Sequence, residues 1–317
     1  MPCFNPVRSW EVGKTEEGKA VLSYKRPKIR REEEQIVLIP CSKCIGCLTR
    51  RSNDWATRCY HEARLHKVNS FITLTYREQN LPKDKNLNHT HFQEFISRLR
   101  AHGRRQNHIG KIRYFMSGEY GNIKNTFRPH YHALIFNYEF DDKIPVGRDN
   151  NGEQLYTSKT LEKLWSHGFV TIGDVNLKTA QYVAKYIYKK QENMNEYGTD
   201  FYENNNIVPE YIKMSNRPGI GRKWLEKWYT DVYPRDGVII DGDTRTVPKY
   251  YDSILDKIDP ELLTRVKDKR KKYHVPDVSD YDQFGKELKQ KNDNSFRLAV
   301  REEKARLLRK NDGYWRS

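Results

Sequence analysis

Through the middle of the chain the apolar positions recur with two different periods, and the periods alternate. Phe71-Ile72-Thr73-Leu74-Thr75-Tyr76 alternates every second residue and is rich in strand formers, which predicts a half-buried strand. Thr90 with Gln93 three residues later is a capping-box signature. Phe92, Phe95, Ile96 and Leu99 then fall at i, i+3, i+4 and i+7, so a helix is predicted, with Gly103 as its stop. Residues 113–117 and 130–136 read as the next two strands, 158–166 as a short helix ending near Gly168, and 169–172 as a fourth strand. Asn176 is placed to cap a further helix over 177–190. The order βαββαβ plus a trailing helix predicts an α+β, ferredoxin-like (split βαβ) fold, an antiparallel sheet with helices on one face.

The flanks have a different texture. A strand-like 36–39 leads into Cys41-Ser42-Lys43-Cys44-Ile45-Gly46-Cys47, and Leu48, Trp55, Cys59 and Ala63 then follow at near-helical spacing. Met214 to Trp224 is a basic loop punctuated by Pro218, Gly219 and Gly221 that opens a helix. Beyond 250 charged residues dominate, with sparse apolar positions (Leu288, Phe296, Leu307). The expected organisation is a cysteine-bearing basic front piece over 1–67, a catalytic core over 68–191, a basic loop and helix over 192–249 and a charged helical tail over 250–317.

Charge changes the picture next. The chain holds 58 Lys and Arg against 42 Asp and Glu in 317 residues, a formal net charge of +16. Such an excess fits a partner made of phosphates better than a small metabolite. No N-terminal signal pattern and no apolar run of about 18 residues is present, which argues against secretion and against a membrane helix. Five cysteines, an odd number, argue for a reducing compartment, so a cytosolic protein is expected.

Two short stretches carry chemistry. His130 and His132 lie two residues apart on a strand, so both imidazoles project from one face and converge on a single ion. An isolated His-x-His is more often a hydrogen-bonded pair on a half-buried strand. Glu119 ends the preceding strand, and a carboxylate there supplies a third ligand that favours Mg²⁺ or Mn²⁺ over zinc. In the helix over 177–190, Ala180, Val183, Ala184 and Ile187 form an apolar stripe. Tyr182, Lys185, Tyr186 and Lys189 form a second stripe beside it. A phenol with a pKa near 10 is a poor nucleophile unless a cation stabilises its phenolate, and both a metal and Lys185 would do so. A metal holding a phosphodiester while a phenolate attacks in line would leave a 5′-phosphotyrosine and a free 3′-hydroxyl. A second tyrosine about 6 Å along the helix permits a second cleavage while the first link persists.

The strand at 71–76, His130-Tyr131-His132 and the Tyr182/Tyr186 helix resemble motifs I, II and III of the HUH endonuclease superfamily. The two-tyrosine form resembles the rolling-circle replication initiators of the gokushovirus-like Microviridae. Cys41 to Cys47 with Trp55 and Arg58, Gly118-Glu119-Tyr120-Gly121, and Arg217-Pro218-Gly219-Ile220-Gly221 add to that likeness. The resemblance covers about residues 38–225. It implies that His130 and His132 bind metal, that Tyr182 and Tyr186 alternate as nucleophiles, and that Lys185 is an accessory cation. It also implies single-stranded phage origin DNA as substrate. No GxxxxGK[ST] phosphate loop is present, so a host helicase and DNA polymerase are the expected partners. A relaxase or single-strand transposase on the same domain, and a non-catalytic zinc-containing nucleic-acid-binding protein, are the alternatives.

Cys3, Cys41, Cys44 and Cys47 form a candidate zinc set, since a closed site needs four ligands. Cys59 would lie about 18 Å along a helix from Cys47, too far to share an ion. An iron–sulfur reading lacks the usual Cys-Pro, and reduced thiols in a small core are the plain alternative. Arg50, Arg51, Arg58, Arg128, Lys189, Arg217, Arg222 and Lys223 flank these sites and are expected to line a groove for single-stranded DNA.

Overall fold

A computed structural model describes residues 3, 6–16, 20–25, 36–121, 127–149, 151–186, 193–194 and 197–273. They form two compact units, one built on Met1–Arg51 and the other on Ser52–Lys291. In the first, β1 (Val7–Lys14) is the middle strand of a three-stranded antiparallel sheet, between β2 (Ala20–Ser23) and β3 (Ile36–Ile39). Helix α1 (Ile45–Ala63) begins in this unit and ends in the other. The front piece expected to run to residue 67 therefore ends as a compact unit at Arg51. The reason is packing: Ala56, Cys59 and Ala63 of α1 are buried in the core of the second unit.

The second unit is built on β4 (Asn69–Tyr76), α2 (His89–Arg105), β5 (Arg113–Tyr120), β6 (Pro129–Phe136), β7 (Lys143–Arg148), β8 (Gln154–Ser158), α3 (Lys159–Trp165), β9 (Gly168–Gly173), α4 (Leu177–Lys185), α5 (Phe201–Asn204), β10 (Tyr211–Met214), α6 (Arg222–Arg235), the hairpin β11 (Val238–Ile240) and β12 (Asp243–Arg245), α7 (Lys249–Ile258) and α8 (Pro260–Tyr273). Seven strands pair antiparallel in the order β10-β5-β6-β4-β9-β8-β7. The four strands read from the sequence are its centre. β4 and β5, joined by α2, are separated by β6, which is the split βαβ arrangement.

Strand alternation sorts the core. Ile72, Leu74, Tyr76, Met116, Tyr131, Ala133, Ile135, Val170 and Ile172 pack under Phe92, Phe95, Ile96 and Leu99 of α2 and Leu161, Leu164 and Trp165 of α3. The intervening residues Phe71, Phe115, Leu134 and Phe136 pack under α1 and α4 on the other face. A third cluster joins α6, α7 and α8 through Leu225, Val232, Tyr233, Tyr251, Ile254, Leu255, Leu263 and Val266. The start of the expected charged tail thus contributes a buried face, each large side chain worth about 1.5–3 kcal/mol. Leu288, Phe296 and Leu307 lie outside the described residues.

Several local expectations shift. The cap of α2 is Asn88, whose side chain accepts from the Thr90 amide; Thr90 is already inside the helix. Gly103 does not stop α2, which runs to Arg105. It is buried, and a Cβ there would stand 3.0 Å from the Ile112 Cδ1, so its smallness serves packing. Asn176 caps α4 as expected, in a reciprocal box with Thr179 (both bonds 2.9 Å). The β7–β8 hairpin is absent from the sequence reading: β7 is short and largely exposed, and Pro145 and Gly147 interrupt the brief alternation of Ile144 and Val146. No described helix is long and apolar enough to cross a membrane.

Candidate active site and metal centre

Antiparallel register brings the site together. Glu119 of β5 stands opposite His130 of β6, and Ser117 opposite His132. On the other side of β6, Thr75 pairs with His130 and Thr73 with His132. All six project from the face that carries α4, by the same alternation that sends Phe71, Phe115 and Leu134 there. The apolar stripe Leu177, Ala180, Val183 and Ala184 seats α4 on this face. That turns Tyr182 and Tyr186 toward the imidazoles.

Glu119 Oε1 lies 2.8 Å from Nε2 of His130 and 2.8 Å from Nε2 of His132. These donor atoms all fall within 4.8 Å of one another. Burial alone would raise the Glu119 pKa, but the facing His130 charge and the bonds to both rings hold it down at about 2. His132 is held below its usual range by burial, against the pull of Glu119, and is a neutral ring. Its Nδ1 is 3.0 Å from the Thr73 hydroxyl.

His130 is the informative ring. Its Nδ1 is 3.0 Å from the Arg128 carbonyl oxygen, which can only accept, so Nδ1 carries a proton. In a neutral ring Nε2 would then be a bare lone pair aimed at Glu119 Oε1, another acceptor. Two acceptors approach to 2.8 Å only when a cation is shared between them: a second proton on His130, or a metal ion. The two imidazole nitrogens and one carboxylate oxygen therefore fit a divalent metal, and a backbone carbonyl orients His130 as outer-shell partners of metal ligands do.

The tyrosines close over this centre. The Tyr182 hydroxyl is 3.2 Å from His132 Nε2, and its ring meets that of His132 edge-on at 4.9 Å. The Tyr186 ring stacks parallel to His132 at 5.7 Å, and the two phenol rings are 5.3 Å apart. Burial and then the Glu119 charge push both phenols well above their ordinary pKa. Lys185, half-buried, ends α4 between them.

The cysteine set lies in the other unit. The thiols of Cys3, Cys41, Cys44 and Cys47 converge within 4.8 Å at the start of α1. The Cys41 amide donates to Cys3 Sγ (3.2 Å) and the Cys44 amide to Cys41 Sγ (3.3 Å). Cys3 and Cys44 sulfurs are 3.8 Å apart, the spacing of two thiolates about 2.3 Å from one tetrahedral ion. Burial, and then the Cys3 bond, pushes the Cys47 thiol up to about 12, so it needs a cation to ionise. Cys59 is fully buried in the second unit.

The basic residues scatter. Arg58 is not a groove residue: it is buried, its guanidinium carbon 3.7 Å from the Trp55 ring centre and 3.9 Å from that of Tyr250, and its Nε donates to the Ile220 carbonyl. Side-chain stacking has taken the charge that composition assigned to DNA. Arg128 donates to the Tyr76 carbonyl and pairs with Glu78. Arg222 pairs with Glu226 at 2.6 Å, whereas Arg217 and Lys223 are exposed. Arg50 and Arg51 are exposed on the first turns of α1, and Lys189 lies outside the described residues. Thr73, the Arg128 carbonyl and Ser117, whose fully buried hydroxyl has no hydrogen-bond partner among the described residues, escaped the sequence reading. Only alternation within 71–76 and 113–120 hinted at Thr73 and Ser117.

The family described as Replication-associated protein ORF2/G2P matches residues 69–191, the segment that holds the sheet centre, both histidines and both tyrosines. The chain is 35% identical to the replication-associated protein VP4 of Bdellovibrio phage phiMH2K, over 82% of this chain and 79% of that protein. It is 36% identical to the replication-associated protein ORF2 of Spiroplasma virus 4, over 74% and 73%. Similarity to the replication-associated protein ORF4 of Chlamydia phage 1 is 28%, over 69% and 54%. No solved structure is significantly similar. With over a third of its residues shared along most of the length of two of these proteins, the chain belongs to the family of phage replication-associated proteins.

Proposed function

We propose that the protein initiates rolling-circle replication of a phage genome as an HUH-type, metal-dependent single-strand DNA endonuclease and strand-joining enzyme. The observation that carries this is the convergence of Glu119 Oε1 and two imidazole Nε2 atoms at 2.8 Å with the Tyr182 hydroxyl 3.2 Å from one of them. Glu119, His130 and His132 would hold Mg²⁺ or Mn²⁺. Bound there, the ion would supply positive charge to the non-bridging oxygens of the scissile phosphate and reverse the field that Glu119 imposes on the phenols.

The chain's own residues do the rest. Tyr182 or Tyr186 loses its phenolic proton to solvent, and its oxygen bonds phosphorus. The P–O3′ bond breaks, and the departing oxygen takes a proton to become the 3′-hydroxyl. Bond energy is kept in the phosphotyrosine, so a later 3′-hydroxyl can attack and restore the strand. Lys185 adds positive charge, one turn from Tyr182 and directly before Tyr186 in the chain. Two phenol rings 5.3 Å apart allow one tyrosine to attack while the other is esterified. Unwinding and synthesis fall to a host helicase and polymerase.

We assign zinc to Cys3, Cys41, Cys44 and Cys47, as a structural ion for the first unit. Its three-stranded sheet buries few side chains, and small units commonly need a metal or disulfide to fold.

The test is incubation of the protein with its phage's single-stranded genomic DNA and Mg²⁺ or Mn²⁺, followed by denaturing electrophoresis. A covalent adduct is expected, retained by Tyr182→Phe and by Tyr186→Phe and lost in the double variant. Tight binding to origin DNA with no adduct would refute the enzyme and leave a binding protein.

A further inference from the structure

A cavity of about 460 Å³ opens at the other end of β5 from Glu119. Arg113 starts that strand and Glu119 lies six positions on, so the two ends are roughly 20 Å apart at about 3.3 Å per residue. Arg100, Arg104, His108, Lys111, Arg113 and Arg217 line the cavity, and no acidic residue among those described does. Two of these cations are already engaged. Arg100 donates to the Ile112 carbonyl, and Arg113 donates to the Pro218 carbonyl while pairing with Glu62 at 3.1 Å. Arg104, Lys111 and Arg217 are exposed and have no carboxylate partner among the described residues. Arg217 is also held at φ +59°, a left-handed conformation that L side chains rarely adopt.

A concave surface with five Arg and Lys side chains, of which only Arg113 is paired with a carboxylate among the described residues, repels itself unless an anion enters. The lining settles which kind. Among the described residues it contains no Phe, Tyr or Trp, so a nucleobase would find no ring of that kind to stack on, whereas a sugar–phosphate backbone needs only the cations. We propose that this cavity binds consecutive backbone phosphates of single-stranded DNA, through Arg104, Lys111 and Arg217, at a distance from the Tyr182/Tyr186 centre. The inference rests on the reading of the protein as one that acts on DNA. Twenty ångströms corresponds to about six stacked nucleotides at 3.4 Å each, so the cavity would hold the strand well away from the nick.

The experiment measures fluorescence anisotropy of a labelled dT strand of about 30 nucleotides against salt concentration. It is done in the Tyr182→Phe/Tyr186→Phe background, without added divalent ion, so no cleavage takes place. Arg104→Ala/Arg217→Ala is expected to weaken binding about 10-fold or more and to flatten the log–log salt slope by about 1.4, two phosphates at 0.7 each. Arg104→Lys/Arg217→Lys should keep most of the slope, which separates lost charge from lost folding. The charge-matched pair Lys159→Ala/Lys163→Ala on α3 should leave affinity and slope unchanged. An unchanged slope in Arg104→Ala/Arg217→Ala overturns the proposal. So does displacement of the strand by dATP at lower concentration than by dT oligonucleotide, which would assign the cavity to a free nucleotide. Absence of an adduct from the tyrosine site would leave this result intact, since it is read from binding alone.

Discussion

Replacing Glu119 by glutamine removes one negative charge from the centre of the proposed metal site and keeps its shape. The carboxylate is 4% exposed, and its Oε1 is within 2.8 Å of both imidazoles. A glutamine amide can still donate to the neutral His132 ring, so the variant is expected to fold. It lacks the only anionic oxygen of the set, and hard divalent ions depend on such ligands. Loss of a mere outer-shell partner costs 10–100-fold in metal affinity, so about 100-fold is a conservative figure for a direct ligand. In wild type, Mn²⁺ at about 100 times its Kd stabilises the fold by about 2.7 kcal/mol, which raises Tm by roughly 5–10 °C for a unit of this size. At the same Mn²⁺ concentration Glu119→Gln gains only about 0.4 kcal/mol and a Tm shift of about 1 °C. Differential scanning calorimetry of both proteins, with the zinc content of each measured first, reads the difference. An equal Mn²⁺-dependent shift in Glu119→Gln would refute the assignment of the ion to Glu119, His130 and His132.

Four further outcomes are expected. Both phenols lie well above their ordinary pKa because of burial and the Glu119 charge. The rate of adduct formation should therefore rise about tenfold per pH unit through the neutral range until another step limits it, and a flat profile would show that phenol ionisation is not required. In metal-free protein the Glu119 carboxyl, at about 2 when folded and 4.5 when unfolded, contributes stability above 4.5 that is lost as pH falls toward 2; acid titrations of wild type and Glu119→Gln followed by circular dichroism should diverge in that window. Cys44→Ser should lose one equivalent of zinc by elemental analysis and lower the unfolding temperature, while retained zinc would remove that residue from the ligand set. Gly168→Ala would drive a Cβ into the Thr75 carbonyl oxygen where β9 meets β4, and a loss of about 1–3 kcal/mol is expected in urea unfolding.

Local patterns in this chain record local structure well. The period-two run at 71–76, the helical spacing from Phe92 to Leu99 and the Asn176 cap each depend on neighbours a few residues away, and each element stands where that spacing puts it. Spacing likewise sets His130 beside His132 on one strand face and Tyr182 beside Tyr186 on one helix face. Where a local signal misleads, a long-range contact has overruled it. Thr90 looks like a cap until Asn88 takes the role, Gly103 looks like a stop until Ile112 packs against it, and Arg58 looks like a DNA contact until Trp55 and Tyr250 enclose it. The β7–β8 hairpin left only a weak trace, Ile144 and Val146, because Pro145 and Gly147 break up an exposed six-residue strand. By itself, then, the sequence determined the order of the central strands and helices, their faces and the residue types that chemistry needs. Only the tertiary structure decided that Glu119 pairs with His130, that α4 turns its phenols onto them, and that Arg104, Lys111 and Arg217 share one cavity. Side-chain periodicity is a property of neighbours on the chain. Register and convergence come from hydrogen bonds and burial between segments from about ten to more than a hundred residues apart, which no local pattern encodes.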